Sequence, residues 1–152
     1  MTSAQEKTQA SGPLVLSIDA MGGDRGPATI VAGLGIFARR NKDAHFILHG
    51  PAEELRPLVE KRKLADRCEI RDAQGVVSME DKPSHVMRNG QDTSMWSTLD
   101  SVRNKEAAVA VSCGNTGALS AVVDGAAAQA AGREPPRHRR ALGHRRTRRA
   151  ST

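Results

Sequence analysis

The sequence predicts an α/β fold, a mostly parallel sheet carrying helices on both faces. Three observations predict it. Short apolar runs alternate along the chain with stretches whose apolar residues recur at helical spacing. Three of those runs open directly into glycine-containing loops. The 152 residues are 38% hydrophobic and include 14 Gly, a globular composition and a length that suits one domain of roughly 100–150 residues.

The elements follow in order. Leu14–Asp19 (LVLSID) is an apolar run ending in a carboxylate, with a Gly-rich loop, residues 21–26, after it. Pro27 stands where a helix can begin, because its missing N–H costs nothing in a first turn. Ile30, Val31, Leu34, Phe37 and Ala38 then keep helical spacing, with Gly33 and Gly35 weakening the pattern. Residues 45–49 (HFILH) form a second strand closed by Gly50 and Pro51. Leu55, Leu58 and Val59 share a face of the next helix, which Pro57 is expected to disturb unless its first turn is irregular. Cys68–Asp72 is a third, less apolar strand. Asp92 or Thr93 can cap a helix on which Met95, Leu99 and Val102 share a face. Residues 107–112 (AAVAVS) are a fourth strand, followed by Gly114, Asn115, Thr116 and Gly117.

Charge divides the chain. Residues 1–120 hold 15 Lys+Arg against 15 Asp+Glu, and residues 121–152 hold eight Arg against Asp124 and Glu134, which accounts for the whole net charge of +6. No apolar run reaches the ~18–20 residues of a membrane span. Residues 1–12 lack the charged start and apolar stretch of a signal peptide. Cys68 and Cys113 lie far apart without metal-ligand spacing, so a reducing, cytoplasmic setting is expected.

Gly22 and Gly23, Gly50, and Gly114 with Gly117 each follow an expected strand. In open α/β sheets, ligands bind outside the carboxyl ends of the strands. Loops there that open onto helix N-termini offer unpaired N–H groups and partial positive charge to an anion, and glycine lets the backbone come close to phosphate oxygens. A phosphate or phosphorylated ligand is therefore expected. Neither G-x-G-x-x-G nor G-x-x-x-x-G-K-[ST] occurs, so the alternative stands that these glycines only permit tight turns.

Four stretches, SIDAMGGDRGP (residues 17–27), MEDKPSHVMR (79–88), TSMWSTLDSV (93–102) and VSCGNTGAL (111–119), together resemble the PlsX family, the bacterial phosphate acyltransferases of phospholipid synthesis, in order and spacing over residues 14–119. The resemblance implies a soluble or membrane-peripheral cytoplasmic enzyme that makes acyl phosphate from acyl-(acyl-carrier-protein) and inorganic phosphate, for a membrane acyltransferase of the same pathway. It also implies a homodimer, a fold similar to the isocitrate/isopropylmalate dehydrogenases, and neither a nicotinamide cofactor nor an obligatory metal. Such chemistry needs phosphate held against a thioester carbonyl and a stabilised tetrahedral oxyanion.

On that basis Gly114, Asn115, Thr116 and Gly117 are expected to bind phosphate or the oxyanion through backbone N–H groups and the two polar side chains. Asp19 would orient a cation or a loop amide, while Gly22 and Gly23 admit the ligand. Lys82, Arg88 and Ser94 are further candidates for contact with an anionic substrate; for Lys82 and Arg88 the alternative is a solvated surface charge. His49 and His85 read as packing and surface histidines, and Cys113 as a small strand-end filler. Catalytic residues stay unassigned. Three departures from the family pattern stand out: His49-Gly50 where the family tends to have Gly-Asp, residues 89–95 without the basic residues that often precede its Ser-Ser-Met segment, and, the largest, a family length more than twice that of this chain.

Of the 28 residues 125–152, 22 are Ala, Arg, Gly, Pro or His, and Leu142 is the one large aliphatic. Such a segment buries too little apolar surface to offset its ordering and is expected to be disordered. The chain thus divides into a disordered stretch (1–12), an incomplete α/β domain (13–122) and a basic tail (123–152). With each codon begun one nucleotide late and G or C at free positions, residues 123–142 can become a segment ending Arg-Pro-Ala-Ile-Ala-Ala-Leu-Trp, much like the continuation of the PlsX family. A frameshift near residues 119–123 is therefore expected, leaving a truncated, inactive product with an open sheet edge. Two other readings compete: a phosphate- or nucleotide-binding α/β module, and an Arg-tailed nucleic-acid binder with steep salt dependence. The tail has no aromatic for base stacking, so no specific nucleic-acid partner is expected.

Overall fold

The structure is a computed structural model that describes residues 12–130. The expectations for residues 1–11 and for 131–152, which include all eight tail arginines, lie outside the described residues. Strands β1 (Leu14–Asp19), β2 (Ala44–Gly50), β3 (Cys68–Asp72) and β4 (Val109–Val111) form one sheet in the order β3-β2-β1-β4. Every pair is parallel, so the α/β architecture is the one the sequence predicts. The chain runs outward from β1 to β3 and then returns to lay β4 on the other side of β1. Asp19 comes opposite His49, and Ile18 opposite Val111. The strand order reverses between β1 and β4, and a crevice is expected where the carboxyl ends of those two strands meet.

The helices are α1 (Gly26–Arg40), α2 (Ala52–Lys61), α3 (Pro83–Asn89), α4 (Ser94–Arg103) and α5 (Thr116–Ala130), with a 3₁₀ turn at Ala65–Arg67. Strand alternation decides what each face of the sheet meets. Ile18, Phe46 and Leu48 join a core with Val31 and Ala38 of α1 and with Leu55 and Val59 of α2. Ser17, Asp19 and His49 face the opposite way and bond to residues of α4. A second core unites α3, α4 and α5 through Val86, Met95, Ala118 and Val122.

Several elements differ from expectation, each for a physical reason. α2 carries Pro57 in its interior and continues past it. The proline leaves one carbonyl without a helical donor, that of Glu53, and both residues lie on the exposed side, where water reaches them. α3, which the hydrophobic pattern does not announce, begins at Pro83, a residue suited to a first turn. The buried residues of α4 are Ser94, Met95, Thr98 and Ser101, not the apolar set Met95, Leu99 and Val102. The sheet beneath presents Ser17, Asp19 and His49, and hydroxyls are what those groups can pair with.

β4 is shorter than the run 107–112, and Val109 and Val111 on this edge strand are exposed. α5 continues through Ala130, eight residues into the stretch expected to be disordered, because its run of alanines has the strongest helix propensity available. Thr93 caps α4, its Oγ1 accepting from the Trp96 N–H at 3.3 Å. Thr93→Ala is expected to lower stability by about 1 kcal/mol and Thr93→Ser to restore most of it, read as a shift of the urea midpoint.

Candidate anion-binding site

The carboxylate of Asp19 stands at the carboxyl end of β1 and is 2% exposed. Its Oδ1 accepts from the N–H groups of Met21 and Gly22, both at 3.1 Å, and from the Ser94 hydroxyl at 2.7 Å. Its Oδ2 accepts from the Ser112 hydroxyl at 2.8 Å, and the Gly114 N–H donates to Ser112 Oγ at 3.2 Å. One buried anion thus ties the loop after β1, the first residue of α4 and the loop after β4 together. The two glycine loops touch. A Cβ on Gly22 would sit 2.8 Å from Asp19 Oδ2, Ser112 Oγ and the Gly114 nitrogen, a space only glycine fits. Gly23, at φ 112°, packs against Cys113, which is exposed.

Asn115 precedes α5 and is 8% exposed. Its Oδ1 accepts from the Ala118 N–H at 3.0 Å, closing the first turn, and its Nδ2 donates to the carbonyls of Ser78, Met79 and Asp81 at 3.0–3.2 Å. The side chain is fully engaged inside the protein. Thr116 and Gly117 are exposed at the start of α5, where first-turn N–H groups lack helical acceptors. Pro83 Cγ lies 3.4 Å from where a Gly117 Cβ would be, which brings Lys82, exposed at the start of α3, to the same end of the molecule. Arg88 is in the last turn of α3, its Nε donating to the Ser84 carbonyl, about 9 Å along the helix from Lys82. Ser94 is 1% exposed with its hydroxyl held by Asp19. The structure therefore gathers Asp19, Gly22, Gly114 and Ser94 into one bonded unit, packs Gly23 against Cys113 at its edge, adds Asn115, Thr116, Gly117 and Lys82 beside it, and leaves Arg88 apart.

His49 lies under α4 and is fully buried. The Ser17 hydroxyl donates to the Thr98 carbonyl at 2.9 Å, so its oxygen accepts from His49 Nε2–H, also at 2.9 Å. Nδ1 is left to accept from the Ser97 hydroxyl at 2.7 Å. Burial, helped by nearby Arg71, depresses the imidazole pKa to about 4. It is a neutral packing histidine, in line with its sequence reading. Burial likewise pushes the Cys68 thiol up to about 11, which keeps it protonated and inert.

A cavity of about 270 Å³ opens at the loop after β1, lined by Gly22, Gly23, Arg25, Gly26, Thr29 and Cys113 among others. An apolar one of about 220 Å³, walled by Ile18, Leu34 and Val111, shares Thr29, Ile30 and Cys113 with it. A larger hollow of about 470 Å³ lies at the opposite end of the strands, among Arg39, Lys42, Lys61, Arg62, Lys63 and Arg67. It is remote from the glycine loops. Its cations cluster where α1 and α2 end, as helix dipoles favour, and Arg67 donates to the carbonyls of Ala38, Asn41 and Lys42.

A family model described as "Fatty acid synthesis protein" matches residues 14–143. The chain belongs to this family. The fatty acid synthesis proteins that it matches include a "Phosphate acyltransferase" of Ruegeria sp. (strain TM1040), 66% identical over 109 residues, which cover 71% of this chain and 29% of the relative. That of Roseobacter denitrificans is 56% identical over 124 residues, 80% of this chain and 35% of the relative. That of Paracoccus denitrificans is 58% identical over 128 residues, with the same two shares. The chain spans about a third of the length of these curated relatives.

Within this family segment, two polar residues escaped the sequence reading. Ser112 bridges Asp19 to the Gly114 amide; its signal was a hydroxyl at the last position of the fourth apolar run, one residue before Cys113-Gly114. Arg25 lines the loop cavity and is exposed; its signal was a cation inside the same glycine loop as Gly22 and Gly23.

Proposed function

We propose that this chain carries the phosphate-binding part of an acyl-(acyl-carrier-protein):phosphate acyltransferase, the enzyme that forms acyl phosphate. The observation that carries this reading is the meeting of the loops after β1 and β4, joined through Asp19, at the point where the sheet order reverses. Names of the relatives supply the reaction class.

In the reaction an oxygen of hydrogen phosphate attacks the thioester carbon, and the carbonyl electron pair moves onto its oxygen. Collapse of the tetrahedral intermediate breaks the carbon–sulfur bond, and the carrier thiolate leaves, taking the proton that phosphate brought. Holding an anion and sheltering an oxyanion are what the site must do. The N–H groups of Thr116 and Gly117, at the positive end of α5, suit that need, with the exposed Thr116 hydroxyl beside them. Asp19 keeps the two loops in register, and Ser94 and Ser112 hold Asp19. Lys82, at the start of α3, and Arg25, in the loop after β1, supply the positive charge that balances phosphate in this reading. The apolar cavity bordering the loop after β1 has the character needed by the first carbons of an acyl chain.

Acyl carrier protein, inorganic phosphate, the membrane acyltransferase that takes the product and a second copy of the enzyme are the partners of this reading, in a cytoplasmic or membrane-peripheral setting. Among the described residues, no helix is long and apolar enough to cross a membrane. The frameshift that separates residues 13–122 from the tail belongs to the same proposal, and resequencing the gene tests it: a restored frame continues as the relatives do. For the site, alanine at the positions matching Asn115 and Thr116 in a full-length relative is expected to raise the phosphate KM about tenfold, a loss of about 1.4 kcal/mol, with a smaller change in kcat. Unchanged phosphate kinetics would remove the assignment.

A further inference from the structure

The turn Ser78–Lys82 is held from within by three hydrogen bonds and from outside by one side chain, that of Asn115. Its internal bonds run from the Ser78 N–H to Asp81 Oδ2 at 2.8 Å, from the Asp81 N–H to the Ser78 carbonyl at 3.2 Å and from the Glu80 N–H to Ser78 Oγ at 3.2 Å. Ser78, Met79 and Glu80 are exposed. Three carbonyls of this turn, those of residues 78, 79 and 81, converge on the two protons of one amide, Asn115 Nδ2. The other end of that side chain caps α5 through Ala118. Asn115 thus joins two segments more than thirty residues apart in sequence. The turn leads directly into Lys82 and Pro83, and Pro83 packs on Gly117.

We infer that Asn115 is a positioning residue whose side-chain amide latches the Ser78–Lys82 turn onto the start of α5, so that Lys82 and the free N–H groups of Thr116 and Gly117 serve one phosphate group. This rests on the phosphate reading of the loops and changes the part assigned to Asn115: its side chain acts on the anion through Lys82. Lys82 forms no ion pair with another described residue, so its charge is available. A serine at position 115 separates the two tasks, because its hydroxyl can still cap α5 but cannot reach three carbonyls.

The test compares the 152-residue chain with Asn115→Ser, Lys82→Ala and the double variant, titrating inorganic phosphate and following amide hydrogen exchange at Ser78 and Asp81. Asn115→Ser is expected to speed exchange at both amides at least tenfold and to raise the phosphate Kd about fivefold. Lys82→Ala should raise Kd similarly in the parent and add nothing in the Asn115→Ser background, the non-additivity of groups acting as one unit. Asn115→Asp, which also keeps the cap oxygen, should speed the same two amides and serves if the serine variant unfolds. Unchanged exchange in both variants would overturn the latch. Faster exchange with an unchanged phosphate Kd, or a Lys82 effect of equal size in both backgrounds, would overturn the positioning role. Faster exchange in the variants together with no phosphate binding by the parent chain would instead overturn the phosphate reading itself and, with it, the service of Lys82 to an anion.

Discussion

Asp19→Ala is expected to destabilise the chain by about 4 kcal/mol and to abolish phosphate binding, while Asp19→Asn is expected to cost about 1 kcal/mol. The carboxylate accepts four hydrogen bonds in a buried setting. Alanine leaves the Ser94 hydroxyl and the Gly22 N–H without an acceptor where water does not easily reach, and each buried orphan costs about 1–3 kcal/mol. It also frees the two glycine loops from one another. Asparagine keeps an oxygen at Oδ1, where three of the four donors converge, and its amide can donate to Ser112 Oγ in place of the fourth bond. Urea unfolding gives the stability difference, valid if the slope stays constant. Equal losses in the two variants would mean that charge, and not the pattern of donors, is what the fold requires of Asp19.

The second large effect is on acid stability and comes from His49. Burial holds its pKa at about 4 in the folded chain, against an ordinary 6.5. Above pH 6.5 both states are neutral and the full stability is present. As the pH falls from 6.5 toward 4, the unfolded chain takes up a proton that the folded chain refuses, so stability drops, by about 3 kcal/mol in all. Asp19, Glu69 and Glu106 favour the imidazolium and limit the depression; Arg71 deepens it. Glu106 and Asp72, held low by Arg71 and by Gln74 with the Ala52 amide respectively, add losses only in the carboxylate range below. The interval from pH 6.5 to about 5 therefore reports mainly the histidine. His49→Gln should be less stable than the parent at pH 7, where it loses bonds to Ser17 and Ser97, yet show a nearly flat stability across that interval. A variant with the parent's slope would assign the acid sensitivity to other groups.

Strand positions were legible because the runs are apolar and the glycines mark their ends. Cys68–Asp72 agrees to the residue, and the second strand exceeds its expected run by one residue at each end. What the pattern could not convey is which helix face meets a polar patch. The rule that apolar residues turn inward selects Met95, Leu99 and Val102, yet Ser94, Thr98 and Ser101 are buried because Ser17, Asp19 and His49 lie 45 to 84 residues away in sequence on the opposing surface. Hydrogen-bond demand across such separations leaves no local periodicity. The same holds at the site. The glycines of both loops were readable as close-approach positions, whereas the commitment of the Asn115 amide to three carbonyls depends on a turn 34 to 37 residues earlier in the chain.

The place of β1 in the sheet also sets a schedule for assembly. β1 is first in the chain and interior in the sheet, so its neighbour β2 can dock early, over a short connection, while its neighbour β4 is synthesised last of the four. Asp19 must wait for Ser94, 75 residues on, and Ser112, 93 residues on. Closing such spans adds only a fraction of a kcal/mol per increment of length, but it slows the search, since distant contacts reward the chain only after their entropy has been lost. The sheet face that α1 and α2 cover is built from residues before position 71, whereas the last hydroxyl on the Asp19 carboxylate comes from Ser112. Closure of this end of the sheet thus depends on the contacts most distant in sequence, those of Asp19 with Ser94 and Ser112.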